Sequence, residues 1–167
     1  MTTNEPWPIE ALSTPDPATV EACRRLSAAL PTPGPFDPIE EAGRPHGRVW
    51  LARGVGATDE TPPSALAVRG YLAAWRIADE LEILFVVTDP AFRRRGVGRA
   101  LLGQAIAAAR AEGLERILLE VAGHNEAARA LYRGFGFREG GVRPGYYADG
   151  DDAILMAFDL AEAAPSA

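Results

Sequence analysis

One strand-like stretch, residues 81–88 with the apolar run Ile83–Val87 at its centre, constrains the fold of this chain more than any other feature. It is rich in branched side chains and apolar on both faces, which is typical of a strand in a sheet that is covered on both sides. Asp89-Pro90 ends the stretch, an amphipathic helix is predicted at Gly98–Glu112 with Gly113 as its stop, and another apolar strand is predicted at Arg116–Ala122. This order predicts a parallel strand pair joined by a right-handed crossover.

The remaining elements follow from side-chain spacing and turn residues. Strands are predicted at Trp7–Ser13, Arg48–Val55, Ala65–Ile77, Phe137–Val142 and Ala153–Leu160, and helices at Thr19–Leu30, around Pro38–Ala42 and from an N-cap at Asn125 to Arg133. Exposed turns are expected at Gly56–Ser64 and Gly145–Asp152, and Gly134 and Gly136 are expected to end the last helix. A chain of 167 residues suits one domain, expected over residues 1–160, with a frayed tail over residues 161–167.

Composition argues against several classes of function. The net charge of −6 disfavours a general nucleic-acid binder, which needs a basic surface. All 17 basic residues are arginine, so no lysine is present for a P-loop or a Schiff base. The longest tight apolar run, Ile83 to Val87, is too short to span a bilayer, and the first residues lack a signal-peptide pattern. We therefore expect a cytoplasmic protein with no membrane partner.

The cysteine and histidine content is equally restrictive. A single cysteine, Cys23, cannot form an internal disulfide and suits a reducing compartment. The two histidines, His46 and His124, lie far apart in sequence, and no group of residues has metal-ligand spacing. No metal cofactor is expected.

Positive charge is concentrated before the predicted helix at residue 98. Four of the 17 arginines fall within seven residues, at Arg93, Arg94, Arg95 and Arg99. Glycines between them let backbone N–H groups face a ligand, a helix N-terminus carries unpaired donors, and arginines add charge-assisted hydrogen bonds. The segment predicts a diphosphate site, with a solvated arginine face as the alternative.

Two nucleotide-binding motifs are disfavoured at this position. A dinucleotide fingerprint needs a third glycine where Leu101 stands, and a Walker A loop needs a lysine. A nucleotide-dependent oxidoreductase is therefore a weak alternative.

The segment Arg94-Arg-Gly-Val-Gly-Arg99, preceded by Val-Thr-Asp-Pro and followed by Ala-Leu-Leu, resembles motif A of the GNAT acetyltransferase superfamily. Leu119–Phe137 and Gly145–Met156 extend the resemblance to the ribosomal-protein-alanine N-acetyltransferase branch, from about Leu81 to Leu160. The resemblance implies an α/β GNAT fold with a mixed, mostly antiparallel sheet of about seven strands, splayed central parallel strands and about four flanking helices. It also implies acetyl-CoA as co-substrate.

The resemblance also implies roles for individual residues. The backbone of Val86, Val87 and Thr88 would contact acetyl-CoA, its pyrophosphate would be held by Arg94, Arg95, Gly96, Val97, Gly98 and Arg99, and Asn125 would touch the cofactor. Glu120 would be the general base and Tyr132, twelve residues later, the general acid. Tyr146 and Tyr147 would lie near the acceptor peptide.

Glu120 is unusual without any family comparison. Strand alternation places it on one face with Leu118, and Ile117, Leu119 and Val121 on the other. A carboxylate in such a strand is either paired with an arginine or desolvated enough to act as a base. Glu80 and Glu82 are alternative bases, or charges at a strand end. Tyr132 has its own alternative as a core aromatic between Leu131 and Phe135.

The expected chemistry is direct attack by an amine. An amine with a pKa of about 8 is mostly protonated at neutral pH and needs a base, whereas Cys23 lies far from the motifs in sequence, which disfavours a covalent acyl-enzyme. Tyrosines beside Asp149, Asp151 and Asp152 suit a basic N-terminal peptide, such as that of a ribosomal protein, although an ordinary acidic loop would look the same.

Three features depart from the family branch or leave alternatives open. Ala122 stands where the branch has an arginine, Pro144 precedes the tyrosine pair, and the first 65 residues match weakly. A small-molecule amine as acceptor and a non-catalytic acyl-CoA-binding module are therefore the alternatives. Either a monomer or a homodimer is compatible with the sequence.

Overall fold

The computed structural model of the chain describes residues 7–30, 37–54 and 67–161. The strands of these ranges are β1 (Ile9–Ala11), β2 (Gly47–Gly54), β3 (Ala67–Ile77), β4 (Glu80–Thr88), β5 (Arg116–Ala122), β6 (Arg138–Arg143) and β7 (Ala153–Asp159). The helices are α1 (Pro17–Ala28), α2 (Pro38–Ala42), α3 (Val97–Ala111) and α4 (Glu126–Phe135). The predicted turn at Gly56–Ser64 and nearly all of the expected tail lie outside the described residues.

The seven strands form one sheet in the order β1-β2-β3-β4-β5-β7-β6. β4 and β5 are parallel, with Glu80 opposite Arg116 and Ile83 opposite Leu119. β7 lies between β5 and β6 and is antiparallel to both, and β1 is antiparallel to β2. The predicted α/β class, mixed seven-stranded sheet and central parallel pair are confirmed.

The first helix begins two residues before the predicted start, and its cap explains why. The Asp16 carboxylate accepts hydrogen bonds from the backbone N–H groups of Ala18 and Thr19 at 2.9 and 3.0 Å. Pro17 occupies the first helical position, where its missing N–H costs nothing. The chain turns into this cap soon after Ala11, so β1 is shorter than the predicted Trp7–Ser13.

The predicted end of α4 at Arg133 was wrong, because the helix continues through Gly134 to Phe135. Gly136 ends it with φ +103°, in the left-handed region that favours glycine. The N–H groups of Gly136 and Phe137 donate to the carbonyls of Arg133 and Tyr132 at 2.9 and 3.1 Å, the pattern of a Schellman motif. Gly134 lacks this left-handed conformation and is tolerated inside the helix.

The chain divides into two compact units, and the first contains the described parts of residues 1–74 and 85–105. Its core includes Cys23, Leu26, Leu51 and Tyr71, all buried. The Tyr71 hydroxyl is not isolated there, because it shares a 2.8 Å hydrogen bond with the hydroxyl of Ser27. This unit carries the end of β4 and the start of α3.

The second unit contains residues 75–84 and the described part of 106–167. An aromatic chain runs from Tyr132 to Phe137 to Phe158, with ring centroids 5.8 and 5.2 Å apart. Phe158 lies opposite Ile117 in the β5–β7 register, so α4 packs against the face of β5 that carries Ile117. Glu120 lies on the other face of the same strand, as alternation predicts.

Candidate active site

The first unit builds the predicted diphosphate segment directly after β4. Asp89 ends the strand: its N–H donates to the Arg69 carbonyl at 2.8 Å, and its carboxylate accepts from the Ala91 N–H at 3.1 Å. The turn that follows contains two residues with positive φ, Arg94 at +64° and Gly96 at +84°. A positive φ is unusual for a residue with a side chain and is concentrated at functional sites. The turn therefore holds a conformation that an ordinary connecting loop does not need.

A glycine on β3 lets the start of α3 approach the end of β4. A Cβ added at Gly70 would lie 2.6 Å from the Val87 carbonyl oxygen and 2.7 Å from Cγ1 of Val97, closer than real Cβ contacts. The close approach brings the predicted strand residues Val86–Thr88 and the predicted loop residues Arg94–Arg99 into one region. Val87 and Val97 are buried there.

The donors in this region fit a diphosphate. Arg94, Arg95 and Arg99 are exposed. The hydrogen bond from Ala100 N–H to the Gly96 carbonyl, at 2.9 Å, opens the helix, so the amides of Val97 and Gly98 precede the first intrahelical bond. Exposed guanidinium groups beside a helix N-terminus supply the positive charge and the hydrogen-bond donors that a diphosphate requires.

In the second unit Glu120 is paired rather than fully buried. Nη2 of Arg143 lies 3.1 Å from Oε1 of Glu120, and 27% of the glutamate side chain is exposed. Of the two possibilities that the sequence left open, the arginine ion pair is the one that forms. Arg143 lies opposite Ala153 of β7, which lies opposite Ala122 of β5, so one small side chain separates Arg143 from the end of the strand that carries Glu120.

Tyr132 is a buried aromatic, 7% exposed, that packs on Phe137. Burial raises its pKa to about 12, and the nearby Tyr147 adds to the shift. The structural alternative of a core aromatic is thus correct, and it does not exclude a role as an acid. A phenol with this pKa keeps its proton throughout the neutral range.

Tyr147 lies near both predicted catalytic residues. Desolvation is the largest cause of the raised pKa of Tyr147, and the charge of Glu120 is the next largest. The Tyr147 ring packs edge-on against Tyr146, with centroids 5.3 Å apart, and the Tyr146 ring lies 5.6 Å from the Arg143 guanidinium. The two tyrosines differ in burial, because Tyr147 is half-buried and Tyr146 is 53% exposed.

Residues 145–152 carry Tyr146 and Tyr147, and we call them the tyrosine loop. The side chains of its three aspartates stabilise the loop through hydrogen bonds. Asp149 accepts a hydrogen bond from the Asp151 N–H at 3.0 Å, and Asp152 accepts one from the Gly145 N–H at 2.8 Å. The Asp151 carboxylate accepts from the His124 N–H at 3.0 Å and contacts its ring Nδ1. The backbone hydrogen bond from His124 is the main reason that the pKa of Asp151 is lowered.

Asn125 and the two alternative bases have structural partners or neighbours of their own. The Asn125 side chain caps α4, accepting from the Ala128 N–H at 3.2 Å. Glu80 pairs with Arg116, with Oε1 and Nη2 2.8 Å apart. Glu82 lies opposite Leu118, two residues before Glu120 on the same face of the sheet. Glu80 and Glu82 therefore both share a face with Glu120, and Glu82 is the nearer of the two in the register.

Cys23 is fully buried in the first unit, where burial raises the pKa of its thiol to about 11. Such a thiol is mostly protonated near neutral pH and is a poor nucleophile. This supports the expectation that Cys23 packs in the core.

Sequence reasoning missed the side chains that surround the predicted site. Two residues were not singled out. Arg143 pairs with Glu120, and Trp7 donates a hydrogen bond to Arg95 of residues 93–99, which we call the arginine–glycine loop. Both contacts join residues far apart in sequence, so local spacing carries no sign of them. Across the described ranges, no helix is long and apolar enough to cross a membrane, and no three His, Cys, Asp or Glu side chains are grouped to hold a metal.

Comparison with known proteins extends these observations beyond the motifs. Residues 17–137 match the model of the Acetyltransferase (GNAT) family. The N-alpha-acetyltransferase RimI of Mycobacterium tuberculosis is 34% identical over 164 residues, covering 93% of this chain and 94% of that protein. The [ribosomal protein bS18]-alanine N-acetyltransferase of Escherichia coli K12 is 39% identical over 102 residues, covering 57% and 69%.

The crystal structure of the ribosomal-protein-S18-alanine N-acetyltransferase from Escherichia coli has the same fold, with a TM-score of 0.71 at 24% identity over 95% of this chain and 98% of that one. Some curated relatives extend well beyond the match. The chain spans 25% of the length of an uncharacterized protein of Mycobacterium leprae and 62% of a putative [ribosomal protein bS18]-alanine N-acetyltransferase of Bacillus subtilis. With the family model matching well over half of its residues and the fold in agreement, the chain belongs to the GNAT family of acetyltransferases.

Proposed function

We propose that this protein transfers the acetyl group of acetyl-CoA to the N-terminal amine of a protein or peptide. The observation that carries the proposal is that one compact unit contains Glu120, a partly exposed carboxylate paired with Arg143, and Tyr132, a buried phenol. A proton acceptor and a proton donor in one region are what amine acylation requires.

The cofactor role of the first unit rests on its donors. Guanidinium groups of Arg94, Arg95 and Arg99 and amides of the first turn of α3 would hold the pyrophosphate, with Val86–Thr88 at the adjacent strand end. Acetyl-CoA supplies the activated acetyl group. The chain supplies charge neutralisation and a fixed orientation.

Glu120 would act as the general base. Its ion pair with Arg143 requires the carboxylate form, which is the form that accepts a proton from an ammonium group. A protonated acceptor amine carries the same positive charge as the Arg143 guanidinium, so it would replace the guanidinium as the ion-pair partner of Glu120. The half-exposed position of Arg143, 54% exposed, leaves it free to move aside.

Tyr132 would act as the general acid for the leaving thiolate. The Tyr132 ring packs against Phe137 in the same compact unit that contains Glu120. A pKa of about 12 ensures that Tyr132 carries its proton at every working pH.

The acceptor class rests on the tyrosine loop and on the relatives. Tyr146 presents an exposed aromatic ring 5.6 Å from the guanidinium of Arg143, which is the ion-pair partner of Glu120. The Mycobacterium tuberculosis relative, which matches nearly the whole chain, is named as an N-alpha-acetyltransferase, and others are named for alanine of ribosomal protein bS18. An N-terminal amine of a protein is therefore the proposed acceptor.

The test is release of coenzyme A during acetyl transfer to a peptide panel. The panel contains peptides with a free N-terminus, the same peptides with a blocked N-terminus and an internal lysine, and small amines. Acetylation of the free N-termini alone is expected. Turnover confined to the small amines would overturn the proposed acceptor, and absence of turnover with every amine would favour a non-catalytic acyl-CoA-binding module.

Variants of Glu120 and Glu82, which share a face of the sheet, distinguish between these two candidate bases. Glu120→Gln is expected to lower kcat by about 10²–10⁴-fold, the usual contribution of a general base, while coenzyme A affinity stays unchanged. Glu82→Gln is the matched control and should retain wild-type kcat, because Glu82 lies on the neighbouring strand β4 opposite Leu118, two residues before Glu120 in the register. The opposite pattern would assign the base to Glu82.

A further inference from the structure

Trp7, the first described residue, makes a hydrogen bond to the arginine–glycine loop 88 residues away in sequence. Its indole Nε1–H donates to the carbonyl oxygen of Arg95 at 2.8 Å. Arg95 is one of the loop residues predicted to hold the pyrophosphate. The weakly matching N-terminal segment therefore contacts the part of the chain that resembles the family most.

Besides the hydrogen bond to Arg95, the Trp7 ring has two packing contacts. A Cβ added at Gly54 would lie 2.2 Å from Cζ3 of Trp7, so the ring lies directly on the glycine backbone of β2. Its other neighbour is the buried Phe92, edge-on, with ring centroids 5.9 Å apart. The following residue is fixed as well, because the Pro8 carbonyl accepts from the Arg53 N–H at 3.0 Å. The indole N–H is thus a donor in a set position.

The aromatic neighbour of Trp7 is itself clamped to the loop and to β3. The Arg69 guanidinium lies 4.2 Å from the Phe92 ring centroid and pairs with Asp89, with Nη1 and Oδ2 3.6 Å apart. The Arg95 guanidinium lies 5.3 Å from the same ring. Trp7, Phe92 and Arg69 therefore pack together beside the loop, and we call these three residues the platform of the loop.

The hydrogen bond sets the direction of one peptide plane. In a trans peptide the carbonyl of one residue and the N–H of the next point in opposite directions, and no cis peptide bond occurs among the described residues. Fixing the Arg95 carbonyl toward Trp7 therefore directs the Gly96 N–H away from the platform. Gly96 adopts φ +84°, a conformation open to glycine, and Arg94 on the other side adopts φ +64°.

We propose that Trp7 is a positioning residue for coenzyme A, holding the Arg95–Gly96 peptide so that the Gly96 N–H faces the pyrophosphate. This inference rests on the proposed function, because it assigns Trp7 to the same cofactor site. Trp7 itself contacts the loop from the platform side. Its effect is on affinity for the cofactor, and it leaves the chemical step and the acceptor untouched.

The experiment compares Trp7→Phe with wild-type protein by calorimetric titration of coenzyme A. Phenylalanine keeps an aromatic ring against Phe92 but has no N–H donor. We expect Kd to rise about fivefold, equivalent to about 1 kcal/mol, the net value of a neutral hydrogen bond. The KM for acetyl-CoA should rise to match, with kcat and the acceptor KM unchanged.

A matched control separates positioning from general destabilisation. Trp50 is a second tryptophan of the same unit, buried in β2 at 5% exposure. Trp50→Phe should lower the temperature of thermal unfolding while leaving the Kd for coenzyme A unchanged. A fivefold rise in Kd for Trp50→Phe as well would overturn the inference, since any loss of core packing would then suffice.

A spectroscopic readout covers the case in which Trp7→Phe does not fold. The chain has three tryptophans, so Trp50→Phe combined with Trp75→Phe leaves Trp7 as the sole tryptophan. Its fluorescence should change on titration with coenzyme A, and an unchanged emission at saturation would overturn the inference. Wild-type protein that binds no coenzyme A would instead refute the proposed function, whereas wild-type binding with an unaffected Trp7→Phe refutes the role of Trp7 alone.

Discussion

Cys23 shows at the scale of one residue how burial removes a possible chemistry. A thiol in a GNAT protein could in principle accept the acetyl group, but this one is fully enclosed in the core. Burial raises its pKa to about 11, since no solvent stabilises the thiolate. The buried thiol therefore argues against Cys23 as an acetyl carrier and supports the proposed direct transfer to the amine.

Replacement of this residue tests that conclusion. Cys23→Ala is expected to keep wild-type kcat in the coenzyme A release assay, and the native wild-type thiol should resist alkylation by iodoacetamide at pH 8. Rapid alkylation of the folded protein, or loss of turnover in a variant with unchanged thermal unfolding, would restore a covalent mechanism.

Single residues also show which parts of the site can be predicted from the sequence. Alternation along one strand correctly placed Glu120 on the face opposite to Ile117 and Leu119, because side chains of a strand alternate by geometry. Its partner Arg143 could not be found in this way. That arginine comes from a strand two positions away in the sheet, and its approach depends on the order β5-β7-β6.

At the scale of elements, α4 is held at both ends by specific residues. Asn125 caps its N-terminus through the Ala128 N–H, and Gly136 ends it in the left-handed conformation. The sequence predicted the cap because asparagine is a preferred N-cap residue. It placed the end too early because a glycine within a helix and a glycine that ends one look alike until the backbone angle is known.

The Asn125 cap is testable apart from any cofactor contact. Asn125→Ala should lower the free energy of unfolding by about 1 kcal/mol, because the helix loses a capping acceptor. Asn125→Ser should restore most of this loss. Urea denaturation measures both, and an equal loss in the two variants would show that the side chain acts through something other than the cap.

At the scale of the whole molecule, stability at high pH depends on groups that folding buries as neutral species. The pKa of Tyr71 and of Tyr132 is raised from 10.0 to about 12, and that of Cys23 from 9.0 to about 11. In each case the unfolded chain loses its proton at lower pH than the folded one. The stabilisation is complete below the unfolded pKa values and is lost as pH rises through 9–12.

The predicted consequence is alkaline unfolding with identifiable contributors. Each of the two tyrosines should reduce the free energy of unfolding by about 1 kcal/mol at pH 11 relative to pH 8. Tyr71→Phe should remove its share of this pH dependence, although the hydrogen bond to Ser27 is lost at every pH. Tyr146→Phe, at an exposed position, is the control. Identical pH dependence in wild type and Tyr71→Phe, followed by chemical denaturation, would contradict the assignment.

The bond between Trp7 and Arg95 also has a consequence for biosynthesis. A ribosome adds about 5–20 residues per second, and the two partners are 88 residues apart. The indole is therefore made about 4–18 seconds before its carbonyl acceptor. The proposed cofactor loop can therefore gain its hydrogen bond from Trp7 only after more than half of the 167 residues have been made.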